Sequence, residues 1–186
     1  MAVTFSTSGT ASAGGVQQTY ALQQTALVEG QLSDIRDNTI GTYINETAVV
    51  LPFGNVQVYN TAGTVANSAT TISGASDTVL GINVLTYVDE TALNADSRPG
   101  VKVDQVLNVA NEGAVAVYVT GAVTPASIVR VLYSASGTGK AGQFSHAFAS
   151  GKTVRMANAR YLSSTTGSGL AILELNGPSF TLSADS

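Results

Sequence analysis

Cysteine is absent from this sequence, and histidine occurs only once, as His146. Without cysteine, the chain can form neither a disulfide scaffold nor a thiolate metal site. A single histidine excludes a metal site with two imidazole ligands and a proton relay through a second imidazole. The sequence therefore predicts no metal site.

Charge is also scarce, at 11% of the residues, where globular proteins carry about 25%. The net charge is −4, and the only group of three basic residues that lie fairly close together in sequence is Lys152, Arg155 and Arg160. This pattern argues against direct binding to nucleic acid, which needs a basic track. A surface of hydroxyls, amides and small side chains favours a protein that sits against another surface.

Long hydrophobic runs are missing as well. The longest, Ala114–Val119, has six residues, whereas a helix that spans a bilayer needs about 20. The N-terminus lacks the basic segment and apolar core of an ordinary secretion signal. We therefore expect a soluble protein with no membrane partner.

No motif assembles a catalytic site. SGTGKAG (Ser136–Gly142) looks like a phosphate loop, but the first glycine and the final hydroxyl of that motif are missing. An enzyme acting on glycans would have to use Asp89, Glu90 or His146, and a pocket that collected two of them would support that reading. We expect instead a protein that is not an enzyme and binds no cofactor.

The dominant period along the chain is two, which is the period of a β-strand. In TVLGINVLTYV, for example, Leu80 and Ile82 fall on one face, and Asn83 falls on the other. VKVDQVLNVA and AVAVYVTGAV read as two strands joined by a tight turn at Asn111-Glu112-Gly113, which predicts a hairpin. The pattern predicts an all-β fold, a single β-sandwich, jelly-roll-like or barrel-like domain. Further strands are expected at Asn55 to Tyr59, Ile128 to Tyr133, Thr153 to Met156 and Leu170 to Leu175.

Two segments before the first of these strands could form helix. VQQTYALQQTALVEG fits a helix and a strand equally well, so both alternatives remain open. SDIRDNTIGTYI begins with possible capping residues, but its glycine and β-branched residues limit it to a turn or two of helix.

The order of five segments resembles the structural cement proteins of tailed bacteriophages, also called capsid decoration proteins. The segments are GQLSDIRDNTIGTYINE, VVLPFGNVQVY, TVLGINVLTY, RPGVKVDQVLNVANEGAVAVYV and ARYLSSTTGSGLAILELNGP. The resemblance covers Gly30 to Pro178. One departure is Ala126-Ser127, which follows Val123-Thr124-Pro125 where the family has a Gly-Asp turn. The resemblance divides the chain into an extended N-terminal arm (1–29), a β-rich cement domain (30–178) and a short C-terminal tail (179–186).

This resemblance implies a structural virion protein without catalytic residues. Such a protein is made in the cytoplasm of the bacterial host and binds the outside of the icosahedral head. There it bridges neighbouring copies of an HK97-like major capsid protein against the pressure of packaged DNA. Low charge and strand edges favour self-association, so we expect a homodimer, with a trimer as the alternative.

The N-terminal arm needs its own explanation, because MAVTFSTSGTASAGG can bury little apolar surface by itself. We expect it to become ordered by lying along another subunit. The candidate contacts with the capsid or with other subunits are Val3, Phe5, Val16, Tyr20, Phe180 and Leu182. A receptor-binding or tail-fibre-like β module of a phage particle is the alternative function, since it would also be all-β and without catalytic residues.

Overall fold

The computed structural model describes residues 27–33, 37–86, 91–177 and 180–184. Every regular element in these residues is a β-strand, and they include no helix long and apolar enough to cross a membrane. The predicted all-β class is confirmed. The strands, numbered in chain order, are β1 (Thr39–Asn45), β2 (Leu51–Pro52), β3 (Val56–Tyr59), β4 (Ser68–Thr71), β5 (Val79–Asn83), β6 (Thr91–Leu93), β7 (Pro99–Val101), β8 (Val106–Val119), β9 (Arg130–Leu132), β10 (Phe144–Ser145), β11 (Thr153–Met156), β12 (Ala159–Tyr161), β13 (Gly169–Asn176) and β14 (Leu182–Ala184).

Five strands close into a barrel, so the barrel-like alternative is the one observed. Around the ring the order is β1, β4, β3, β5 and β8, and β8 pairs with β1 to close it. The β1–β4 pair is parallel and the other pairs are antiparallel. Closure gives every strand of the ring two neighbours, which protects its backbone groups from outside pairing.

Strand β8 continues beyond the ring and carries the rest of the sheet. Its C-terminal half pairs with β13, and β12 pairs with the far side of β13. At its end, β8 pairs in parallel with β10, and the order continues through β9 and β11 to β14. One long strand therefore belongs both to the barrel and to its extension.

A separate sheet of three short strands, β2, β7 and β6, packs against the barrel. Two buried asparagines attach it. The Asn83 Nδ2 group donates to the carbonyl oxygens of Leu51 (3.0 Å) and Pro52 (3.1 Å), and Asn45 Nδ2 donates to that of Val101 (3.1 Å). Buried amide NH₂ groups with such partners avoid the cost of desolvation, so they fix the position of the small sheet.

The core has two parts. The larger includes three valines of the second half of β8, Val115, Val117 and Val119, with Leu173 and Leu175 of β13. The three valines lie together on one face, as the period of two predicts. The smaller part joins β2 and β7 to the barrel, and its buried residues are Leu51, Phe53, Ala69, Val101, Leu107 and Val109.

The predicted hairpin at Asn111-Glu112-Gly113 is wrong, because the chain runs straight through this segment as part of β8. On the β1 side, Thr39 pairs with Glu112 but Ile40 pairs with Ala110, so Asn111 is an extra residue in the ladder. Gly113 has a φ of +116°. The glycine therefore lies inside one strand, two residues after a β-bulge, and not in a turn between two strands.

The predicted helical turn in SDIRDNTIGTYI is also wrong where the structure describes that segment. Residues 34–36 lie outside the described residues, and Thr39–Asn45 is strand β1. The β-branched side chains that limited the helix are those that favour a strand. Residues 16–26 of VQQTYALQQTALVEG lie outside the described residues, so both the helix and the strand alternative for this segment stay open.

We expect the substitution Gly113→Ala to lower the free energy of unfolding by about 2–3 kcal/mol, mainly through backbone strain, since the nearest atom is the end of a flexible side chain. An added Cβ atom would lie 1.8 Å from the Asn38 Oδ1 atom, at a φ that L residues rarely adopt. The matched control is Gly137→Ala. Gly137 also has a positive φ (+58°), but among the described residues no atom lies within 4 Å of the position that its Cβ atom would take.

The Gly137→Ala control should lower the free energy of unfolding by only about 1 kcal/mol. Urea unfolding of both variants measures the difference. Equal losses in the two variants would mean that β8 has no special requirement for glycine at position 113.

Candidate interaction surface

Four of the predicted contact residues, Val3, Phe5, Val16 and Tyr20, lie outside the described residues. The other two, Phe180 and Leu182, are half-buried and pack against the larger core of their own chain. Leu182 lies on β14, where it pairs with Met156 of β11. The C-terminal segment therefore adds a strand to the sheet of its own chain, and only the remaining surface of these two side chains is open to a neighbour.

The residues that an enzyme would need do not form a site in the described structure. Asp89 and Glu90 lie outside the described residues. His146 is exposed just after β10, and its backbone carbonyl accepts a hydrogen bond from the Arg130 guanidinium. The structure places this histidine on the surface and gives its backbone a structural contact.

Three acidic side chains line a cleft of about 370 Å³ beside the β8 bulge. Glu112 accepts a hydrogen bond from the Thr39 hydroxyl (2.8 Å), and Glu174 is paired with Arg160, whose pKa it raises above the ordinary value. Asp37 is the third. The described residues include no group of three or more His, Asp or Glu side chains that could hold a metal ion. The carboxylates of Glu112 and Glu174 serve to hold neighbouring strands together.

The inner end of the N-terminal segment is fixed to β8. Gly30 N donates to Ala116 O (2.8 Å), Ala116 N donates to Gln31 O (2.8 Å), and Ser33 N donates to Ala114 O (2.9 Å). Gly30 has a φ of +78°, and a Cβ atom there would lie 2.8 Å from Leu85 N. A glycine is required at this position because the backbone packs so closely.

Glu29 and Arg98 clamp the chain at the same place. The carboxylate accepts from Nη2 of Arg98 (2.7 Å) and from its Nε (3.2 Å), in a bidentate pair. Nη2 also donates to Asn55 Oδ1 (2.7 Å). The two charged side chains, Arg98 and Glu29, are only 15% and 17% exposed. This ion pair is shielded from water and has further hydrogen bonds, so it should hold more firmly than a surface pair.

An apolar surface lies beside this clamp. Leu93 of β6 and Val49 are the two most exposed large hydrophobic residues among those described, at 65% and 59%. Both line a cleft of about 400 Å³, which we call the Leu93 groove. Its lining residues are Val49, Val50, Pro52, Asn55, Thr71, Leu93, Asn94, Ala95, Asp96, Arg98, Lys140 and Ala141.

The groove has three charged lining residues, and each has a partner. Arg98 is paired with Glu29, and Lys140 is paired with Asp96 at 2.9 Å. Six of the twelve lining residues are apolar and the charges are balanced, which suits an uncharged polypeptide segment better than an anion.

Sequence reasoning missed the Glu29–Arg98 clamp and the groove. One signal for the clamp was available, because Glu29 carries the first charged side chain of the chain, after 28 residues without any. Leu93 and Val49 gave no such signal, since neither lies in a stretch with a clear period.

Known proteins resemble this chain in sequence and in fold. The family model described as structural cement protein (E217 gp24/Pam3 gp6) matches residues 16–176. A chain in the structure entitled "The capsid of Myoviridae Phage XM1" has a TM-score of 0.61 and 17% sequence identity, over 87% of this chain and 97% of that chain. At this identity the likeness shows a shared fold. No curated protein matches.

We expect the Glu29–Arg98 pair to contribute a coupling energy of about 1–3 kcal/mol to folding, because its partners are held and partly desolvated. The variants Glu29→Gln, Arg98→Gln and the double variant form the cycle, measured by urea unfolding. The control cycle is Asp96→Asn with Lys140→Gln, a pair whose side chains are 38% and 49% exposed.

The exposed control pair should give less than about 1 kcal/mol. A coupling energy for Glu29–Arg98 no larger than that of the control would mean that the chain is not clamped there.

Proposed function

This chain belongs to the structural cement proteins of phages, and from that premise we propose that it binds the outer surface of the assembled head and holds neighbouring capsid proteins together. The observation that carries the proposal is the family match, which spans residues 16–176 and so includes the whole barrel and strands β1 to β13. The fold shared with a chain of a phage capsid structure agrees with it.

The physical properties of the chain suit this role. The barrel and its β8 extension give a rigid body, and a rigid body can transmit load between two contacts without deforming. A chain with 11% charged residues gains little from electrostatics, so apolar and main-chain contacts must supply the affinity. Such contacts do not weaken at high ionic strength.

The partner is the major capsid protein of the same phage, which we take to be of the HK97-like type. Within the N-terminal arm, Val16 and Tyr20 lie inside the region that the family model matches, and Val3 and Phe5 lie before it. We assign Val3, Phe5 and Val16 to contacts with neighbouring subunits, whereas for Tyr20 we propose a contact within its own chain. Apolar anchors on an otherwise polar strand are the usual way for an extended arm to bind.

We propose that the protein acts as a homodimer, because closed twofold contacts are the commonest form of self-association. A dimer that contacts two capsid proteins bridges them. Sedimentation analysis of the purified protein separates this arrangement from a trimer or a monomer.

The protein would be made in the cytoplasm of the host bacterium and join the virion there.

The family is one of structural virion proteins, and we propose no catalytic activity for this member. Neither the family match nor the structural neighbour supports a receptor-binding or tail-fibre role. The role proposed for the chain depends on contacts made by many residues and not on the chemistry of a few.

We expect heads stripped of this protein to release their DNA at a lower temperature than heads to which it has been added back. A ligand that binds only the closed shell at 100 times its Kd adds about 2.7 kcal/mol per site. A dye that fluoresces on released DNA measures the transition during heating. The difference should be nearly equal at about 0.1 M and about 0.5 M salt, because few charges are present to be screened.

Equal release temperatures with and without the protein would contradict a cementing role. The variant His146→Gln serves as a control, since an exposed side chain outside the proposed contacts should leave the stabilisation unchanged.

We expect removal of residues 1–15 to weaken binding to heads by about tenfold or more, while the barrel stays folded. The buried area of each apolar anchor is worth about 1.5–3 kcal/mol, and this truncation removes Val3 and Phe5. Co-sedimentation with heads measures the affinity, and urea unfolding checks the fold.

The full-length variant Val3→Ser with Phe5→Ser should weaken binding in the same direction, because it keeps the length of the arm and removes its anchors. Undiminished binding of the truncated chain would show that the arm is not part of the interface.

A further inference from the structure

We propose that the Leu93 groove is the binding site for residues 20–26 of the same chain, so that the inner part of the N-terminal arm is held on its own barrel. The groove contains the two most exposed large hydrophobic residues of the described structure, Leu93 and Val49. Exposed apolar side chains beside polar groups in a concave surface suit contact with another polypeptide segment. The proposed occupant lies outside the described residues.

The path of the chain leads to this groove. Leu27 is the first residue that the structure describes, and Glu29, two residues later, is bound to Arg98. Arg98 is itself a lining residue of the groove. Residue 26 is therefore only three residues from a side chain that contacts the lining of the groove, so only a short loop has to close for residues 20–26 to reach it.

The uncharged segment also suits a groove whose charged residues are already paired. The described lining offers no unpaired charge, since Arg98 and Lys140 are paired with Glu29 and Asp96. A phosphate or an acidic peptide would have to break one of these pairs. Residues 1–28 contain no charged side chain, so they can enter the groove without leaving a charge unpaired.

The segment has a suitable length and pattern. In YALQQTA, the side chains of Tyr20, Leu22, Gln24 and Ala26 fall on one face of an extended chain. Seven extended residues reach roughly 23–25 Å at about 3.3–3.6 Å each. Because the segment is tethered at the rim, its effective concentration at the groove is in the millimolar range, which favours it over the same segment of a second copy.

Disulfide trapping tests this proposal on the free, full-length chain, where the absence of natural cysteine makes any disulfide unambiguous. Leu22→Cys or Gln24→Cys is combined with Leu93→Cys or with Val49→Cys. The control partner is Ile128→Cys, which is 42% exposed and does not line the groove. All three partner positions are exposed, so cysteine there should not disturb folding.

We expect the arm cysteine to form an intramolecular disulfide with Leu93→Cys or Val49→Cys at least tenfold faster than with Ile128→Cys. Mass spectrometry of the monomer measures the rate. Three results would overturn the proposal: faster formation of disulfide-linked dimers, equal rates with the Ile128→Cys control, or no disulfide with either groove position for both arm cysteines. Dimers would assign the groove to the arm of a second copy. Because no phage heads are used, none of these results bears on the cementing role.

Discussion

The pairing of β8 is the interaction on which the rest of the structure depends. Its first half closes the barrel by pairing with β1 and β5, and its second half carries β13 and the inner end of the N-terminal segment. The bulge at Asn111 lies where these two sets of partners meet. If this strand turned back at Gly113, the barrel and the extension would become two separate sheets. The same strand holds the segment next to Glu29, and so one side of the clamp, in place.

The sequence predicted the class of fold because alternation reports burial directly. The strand predicted at Thr153 to Met156 was found with those bounds, and the one at Leu170 to Leu175 falls within β13. Asn111-Glu112-Gly113 misled the prediction, because a glycine with a positive φ can lie inside a strand beside a bulge as well as in a turn. Only the partner strand decides between the two, and β1 lies more than 60 residues away in sequence. The two-residue strands β2 and β10 are too short to show a period.

The candidate surface was less predictable than the fold, because its parts come from distant places in the chain. Glu29 and Arg98 are 69 residues apart, and Asn55 joins them from a third segment. No local sequence pattern predicts such a pair. The family resemblance supplied the role of the protein from the order of short segments, and the family match over residues 16–176 confirms it. Neither source could reveal which exposed apolar residues share one groove.

The continuous strand also has a mechanical consequence. β8 is 14 residues long, or roughly 45 Å at about 3.3 Å per residue. A force along its axis loads the hydrogen bonds to β1 and β13 all at once, in shear, whereas a force across it opens them one at a time, like a zipper. The molecule is therefore much stronger in one direction than in the other. A shell that swells from within stretches along its surface, and this protein would resist best with β8 lying in that surface.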